Sequence, residues 1–259
     1  MKNILDNFYI ILVSPDESSN IGATCRAMKT MGFTNMRIAC PKAYDENQIK
    51  YISLNAFDVY NNRQEFPSLG EALHDISVAA GITRRVGKKR KYRLFGAEEF
   101  GDFIFEKKYG KVAIVFGNEE HGLTDEEIIH CNMSVSIPSS PAFPSLNLSH
   151  AVQVITYVIS KKATLHHTDG VLVPGAAPPT IDLAETEELV AGITASLKEL
   201  GFFKVTDDKD MKIFLRDIFS RASLTERERN RLADLFKKIE GLSKSGLARS
   251  SELSIQKAE

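Results

Sequence analysis

Cysteine, net charge and long apolar runs are all scarce in this sequence, and each scarcity removes a class of protein. The three cysteines, Cys25, Cys40 and Cys131, are odd in number and far apart. Neither a disulfide framework nor a paired-cysteine zinc pattern can be assembled from them, so a reducing, cytoplasmic setting is expected. The six histidines include the neighbours His166 and His167 but no HExxH, and no protein-held metal is expected. No apolar run approaches the roughly 18 residues that cross a bilayer, so no membrane partner is expected. The opening stretch, MKNILDNFYIILVSPDESS, flanks a short apolar run with acids. A secretory leader wants a basic start and small residues at a cleavage site; this segment reads as a first core strand.

What is present is ordinary for a soluble globular protein: 43% hydrophobic and 26% charged residues in a chain of 259. That is enough for one large domain, or a medium one and a small one. The formal net charge of −1 alone argues against a nucleic-acid partner, but its distribution argues for one. Residues 84–93, RRVGKKRKYR, hold seven basic groups and no acid. Residues 209–249 hold eleven Lys/Arg against six Asp/Glu. Local fields of this kind attract phosphate even where the total cancels.

Short runs rich in Ile, Val and Phe predict buried parallel strands at Phe8–Val13, Met36–Ala39, Ile76–Ala80, Val112–Phe116 and Val135–Ile137. Helices are expected between them near 21–31, 46–55, 97–108 and 124–130, the last opened by the capping box Thr124-Asp125-Glu126-Glu127. A longer helix over 147–162 repeats Leu148, Ala151, Val152, Ile155 and Ile159 on one face. The alternation predicts an α/β fold with a parallel sheet over residues 1–163. Residues 164–180, rich in Gly, Pro and Ala, read as a linker. An all-helical extension follows over 181–259. One helix carries the stripe Leu189, Ile193, Leu197, Leu200 and ends at Gly201. A second covers 209–222. A third starts at the capping box Thr225–Glu228 with Leu232, Leu235, Phe236 and Ile239; the Ser-rich tail after 241 is expected to fray or be disordered.

Three loops carry unusual residues. The first, NIGATCRAMK, offers Asn20, Gly22 and Arg26 at a helix start, an end that favours anions. The second, FGNEEHGL, brackets the polar Glu119 with Gly117 and Gly122. The third, IPSSPAFPSLNL, is stiffened by three prolines and leads through Ser145 and Asn147 into the long helix. Taken alone, each also has an ordinary reading. The first gives an N-cap asparagine with a surface arginine, the second a tight strand-to-helix turn with solvated acids, and the third a proline-rich turn ending in a cap.

Together, NIGATCRAMKTMGF, VFGNEEHGL and IPSSPAFPSLNLSHAVQVITY, in that order and spacing, resemble the three signature motifs of the SPOUT-superfamily methyltransferases. The resemblance is to the SpoU/TrmH branch and, within it, to TrmJ-like enzymes, over about residues 8–160. The helical region with FLRDIFSRASLTERE is similar to the C-terminal part of that group.

The resemblance implies a SPOUT fold with a C-terminal trefoil knot, a homodimer and an S-adenosylmethionine (SAM) pocket. That pocket would be formed by Ile82, Thr83, Arg84, Gly117, Ile137, Pro144, Ser145 and Leu146. It also implies catalytic or loop-holding roles for Asn20, Arg26, Glu119, Ser145 and Asn147. RNA contacts are implied at Arg85, and the basic run adds Lys88, Lys89, Arg90 and Lys91, whose neutralisation should flatten the salt dependence of binding. The implied reaction is ribose 2′-O-methylation of RNA, most similar to the tRNA anticodon-loop activity at position 32. Ribosomal RNA as substrate, or a catalytically silent RNA-binding assembly factor, are the alternatives. Two positions depart from the pattern: Asn118 stands where an arginine is frequent, and Pro144 where a serine is common. A neutral guanidinium is very costly, so Arg26 is expected to act as a phosphate clamp and charge stabiliser rather than as a general base.

Overall fold

A computed structural model describes residues 4–84, 94–107, 109–168, 180–203 and 208–255, with side chains described except at 166–168 and 243–255. The chain forms two compact units, Met1–Pro178 and Pro179–Glu259.

In the first unit the described strands are β1 (Phe8–Val13), β2 (Asn35–Ala39), β3 (Gln64–Phe66), β4 (Val78–Ile82), β5 (Leu94–Gly96), β6 (Val112–Phe116) and β7 (Met133–Ser136). They make one parallel sheet in the order β3-β2-β1-β6-β4-β7-β5. The described helices of this unit are α1 (Ser18–Thr30), α2 (Glu46–Ser53), α3 (Phe57–Asn61), α4 (Leu69–Ala72), α5 (Ala97–Lys107), α6 (Asp125–Ile129) and α7 (Leu148–Thr168).

Strand side chains alternate between the two faces of a sheet, and here both faces are covered. Ile10, Leu12, Ile38, Ile114 and Val135 are fully buried in one core with Ile21 and Met28 of α1, Phe100 of α5 and Val152 and Ile159 of α7. Ile11, Ala79, Ala113 and Val115 are buried on the alternate positions. This two-sided burial explains why the strands read as continuous apolar runs.

Three features differ from the sequence reading. The run expected at Ile76–Ala80 pairs as Val78–Ile82, because Gly81, which reads as a strand end, pairs with Val115 and Ser134. A Cβ at Gly81 would lie 2.4 Å from Ile128 Cδ1, so the glycine admits α6 against the sheet. Strands β3 and β5 carry no apolar run because they are three-residue edge strands with one neighbour each. Helix α7 continues to Thr168, so the boundary expected at 163 falls inside it.

The second unit is built from α8 (Leu183–Glu199), α9 (Asp208–Ala222) and α10 (Glu226–Ile255) around Ile181, Leu189, Val190, Ile193, Phe219 and Leu224. Gly201, at φ +70°, follows α8 and lets Phe202 N–H donate to Leu197 O at 3.0 Å, the hydrogen-bond pattern of a Schellman cap. Leu232 and Phe236 of α10 pack into this core, whereas Leu235 and Ile239 stay exposed. The three-helix packing covers only part of the apolar stripe. The helix runs on to Ile255, where the Ser-rich composition predicted fraying. No described helix is long and apolar enough to cross a membrane.

Candidate active site

Parallel strands place all their carboxyl ends on one edge of the sheet, and the loops leaving that edge can meet. A cleft of about 190 Å³ opens there. Ile82 lines it from the end of β4 and Thr83 and Arg84 from the residues that follow, Gly117 and Glu119 from the loop after β6, and Ile137, Pro144, Ser145 and Leu146 from the segment after β7. Phe116, Leu123, Leu148 and Ala151 complete an apolar lining. The basic residues Arg85, Lys88, Lys89, Arg90 and Lys91, which follow this edge in sequence, lie outside the described residues.

Two glycines shape the second loop for different reasons. A Cβ on Gly117 would sit 2.1 Å from the carbonyl carbon of Gly122, so only glycine lets the loop fold back on the strand end. Gly122 itself adopts φ +65°, a conformation glycine takes without penalty. Asn118 closes the turn between them. Its Oδ1 accepts the Glu120 and His121 N–H groups at 3.1 and 2.8 Å, and its Nδ2 donates to Asp16 Oδ2 at 2.8 Å. An arginine could not accept those two bonds, which gives the departure at position 118 a structural use.

Beside the cleft, polar side chains from all three signature loops form one hydrogen-bonded chain. Asn147 Nδ2 donates to Asn20 Oδ1 at 2.8 Å, and Asn20 Nδ2 donates to Glu119 Oε1 at 3.0 Å. Glu119 also accepts the Asp16 N–H at 2.8 Å and the Glu17 N–H at 3.2 Å. Glu17 is the N-cap residue of α1 and its own side chain makes no cap bond. Glu119 therefore places its carboxylate at the start of that helix from a loop a hundred residues away, where the exposed N–H groups and helix dipole favour an anion. Of the catalytic and loop-holding roles that the resemblance allowed this carboxylate, the loop-holding one takes up three of its four lone-pair directions. At the far end of the chain, Asn147 Oδ1 caps α7 by accepting the Ser149 N–H at 2.9 Å.

Other expected residues behave differently. Helix α1 starts at Ser18, so Gly22 is not at a helix start. A Cβ there would lie 2.9 Å from Ile49 O, and the glycine serves the close approach of α2, not an anion. Arg26 is exposed, makes no ion pair or hydrogen bond among the described residues, and does not border the cleft. Ser145 presents an exposed hydroxyl with no partner among the described residues. The carbonyl of Pro144, a residue expected in the cofactor pocket, accepts a hydrogen bond from the Ser139 hydroxyl at 3.1 Å, which leaves it one lone pair. Burial pushes the Cys25 thiol, next to Arg26 in sequence, up to about 12 and leaves it unreactive. Among the described residues no three His, Cys, Asp or Glu side chains are placed to hold a metal.

Asp16 is the residue that sequence reasoning overlooked. Its side chain bonds Asn118 and Lys42 while its N–H bonds Glu119. The available signal was its place in the polar stretch SPDESSN directly after the first strand.

A parallel α/β sheet with a ligand-sized cleft at its carboxyl edge, lined from β4, β6 and β7 with the last two loops tied together through Asn20 of α1, defines a nucleotide- or cofactor-binding enzyme class. Within that class, the SpoU rRNA Methylase family model matches residues 7–157, more than half of the chain, and the chain belongs to that family. It is 33% identical over 245 residues to an uncharacterized tRNA/rRNA methyltransferase of Haemophilus influenzae, covering 92% of this chain and 96% of that protein. It is 31% identical over 246 residues to the tRNA (cytidine/uridine-2′-O-)-methyltransferase TrmJ of Escherichia coli K12, covering 95% of this chain and all of that one. Among solved structures, TrmJ from Z. mobilis ZM4 superposes with a TM-score of 0.71 at 25% identity, over 90% of this chain and 98% of that one.

Proposed function

We propose that this chain is a SAM-dependent RNA ribose 2′-O-methyltransferase whose substrate is tRNA, acting in the cytoplasm as a homodimer. The observation that carries the reading is the Asn147–Asn20–Glu119 chain, which draws the three signature loops together beside one cleft. The cleft suits the cofactor chemically. Ile82, Phe116, Leu123, Ile137 and Leu148 offer apolar surface to a purine and a methionine chain, and the 117–122 loop brings backbone close. When bound, the cofactor supplies a methyl group already activated on a sulfonium.

The protein must then align a ribose hydroxyl and manage one proton. The Ser145 hydroxyl, at the cleft and without a partner among the described residues, supports a role in relaying that proton. Arg26 is a cation without a partner among the described residues, suited to clamping a phosphate beside the target ribose. Because Arg26 does not border the cleft of its own chain, the homodimer reading has it completing the site of a second copy. The segment 137–147 leaves β7 and reaches back to Asn20 of α1, a path that supports the reading of a trefoil knot. The choice of tRNA rests on the relatives named for it, which match nearly the whole chain, helical unit included.

Incubating the protein with methyl-labelled SAM and, separately, total tRNA and ribosomal RNA tests this. Nuclease-resistant dinucleotides should carry label from the tRNA pool. Label confined to ribosomal RNA would overturn the substrate, and no label in either pool would overturn the enzyme. Arg26→Ala should abolish transfer while cofactor binding survives; activity within about tenfold of the unaltered protein would show that Arg26 stabilises no transition-state charge.

A further inference from the structure

The third loop carries an aromatic residue that nothing above employs. Phe143 is 79% exposed, an uncommon placement for a phenyl ring, which is more often buried. It is held in a built turn. Pro141 fixes the second position, Phe143 N–H donates to Ser140 O at 3.2 Å, and Ala142 N–H donates to Ser140 Oγ at 3.3 Å. Pro144 follows, its carbonyl tied to Ser139. The ring is therefore presented by a pre-ordered backbone, and ordering it on a ligand costs little further entropy.

Its surroundings indicate what it would meet. Tyr51, Phe143 and Tyr157 are the exposed aromatics described in Met1–Pro178. Of these, Phe143 alone adjoins a residue of the cleft, Pro144, and is followed three positions later by the half-exposed Leu146. The same cleft is lined by Arg84, exposed and without a partner among the described residues. A flat apolar side chain one residue from the cleft's Pro144, and a cleft guanidinium without a partner among the described residues, match the two faces of a single-stranded nucleotide, its base and its phosphate.

Resting on the methyltransferase reading above, we propose that Phe143 stacks on an unpaired base next to the nucleotide being methylated. The third loop would then select for unpaired RNA.

The chain contains no tryptophan, so Phe143→Trp installs a single indole reporter. A single-stranded oligoribonucleotide should quench its emission at least about twofold through stacking, whereas a fully paired RNA duplex of the same composition should not. Phe143→Ser should raise the KM for RNA about tenfold, leave cofactor affinity and Tm unchanged, and be rescued by Phe143→Trp. Equal quenching by duplex, quenching by SAM alone, quenching that grows with protein concentration without RNA, or no quenching at all would each overturn the assignment. Label transfer by the unaltered protein, run in parallel, separates the two failures. Transfer with a silent indole sinks the role of Phe143 alone, and no transfer sinks the reading on which it rests.

Discussion

The two units of this chain are held by polar contacts of very different reach. In Met1–Pro178 the bonds that assemble the cleft join residues 99 to 127 positions apart. In Pro179–Glu259 the starts of α8 and α10 are closed by four-residue capping boxes, at Asp182–Glu185 and Thr225–Glu228, and the side-chain bonds described between helices, Arg216–Glu187, Arg229–Glu185 and Ser196–Glu240, join residues only 29 to 44 positions apart. The difference follows from architecture. A parallel sheet sets side by side strand ends that are remote in sequence, so a site at its edge needs long-range joints. A small helical unit gains its order from stripes and caps that each helix carries for itself. Removing one polar group in the first unit should therefore be felt far from its place in the sequence, whereas in the second it should stay local.

The largest expected effect lies away from the site. Arg37 of β2, buried to 2% exposure, bonds Asp75 at 2.6 and 3.1 Å and lies 4.3 Å over the Tyr9 ring; Lys111, just before β6, bonds the same carboxylate. Burial alone would raise the Asp75 carboxyl, but the hydrogen bonds from Arg37 and Lys111 outweigh it and hold it well below the usual carboxylate range. Asp75→Asn would leave a buried guanidinium without its counter-charge, a loss of about 3 kcal/mol in stability. It should leave cofactor affinity intact. The pH dependence has a definite sign. A depressed folded pKa contributes stability that is complete above about pH 4 and declines as acid protonates the native carboxylate. Urea titrations from pH 7 downwards should show that decline in the unaltered protein and a flatter acid limb in Asp75→Asn. Equal acid limbs would remove Asp75 from the long-range framework.

Next in size is Gly117→Ala. The added Cβ would meet Gly122 backbone at 2.1 Å, and backbone cannot give way as a side-chain tip does, so the loop must shift at a cost of about 2 kcal/mol. Because this loop carries Glu119, the displacement should travel to Asn20 and Asn147. Calorimetry should then find cofactor affinity reduced at least about tenfold. An unchanged affinity would mean that the loops are not coupled through their joints.

How much of this was legible beforehand depends on the range over which each feature is encoded. Strands Phe8–Val13 and Val112–Phe116 were readable to the residue, because two-sided burial writes a continuous apolar run. The three loops were readable as motifs, since glycine, proline and asparagine have local backbone reasons to be where they are. Gly22 misled because the spacing of a helix start and that of a close helix–helix crossing look alike in one dimension. Glu119 was readable as catalytic or loop-holding but not as one of the two, because a carboxylate that caps a distant helix cannot be told from one awaiting a ligand until the helix is in place. Asp16 was passed over because its partners Asn118 and Glu119 lie on a loop remote in sequence. Leu235 and Ile239 show the limit in the helical unit, where periodicity gives the apolar stripe but not how much of it three helices cover.

The smallest effect tests the other side of the comparison. Thr225 caps α10: its N–H donates to Glu228 Oε2 at 2.8 Å, and its hydroxyl accepts the Glu228 N–H at 3.4 Å. Thr225 also makes an isolated bridge with Thr180 through backbone alone, which a side-chain change leaves in place. Thr225→Ala removes the hydroxyl and should lower stability by about 1 kcal/mol, the ordinary cost of a lost N-cap. The side-chain bonds of the capping box stay within the first turn of its own helix, so cofactor affinity and the acid limb governed by Asp75 should both match the unaltered protein. Thermal unfolding followed by circular dichroism, beside a cofactor titration, would check this. A drop in affinity like that of Gly117→Ala would mean that a local cap in the helical unit acts at long range after all, and the contrast between the two units would fail.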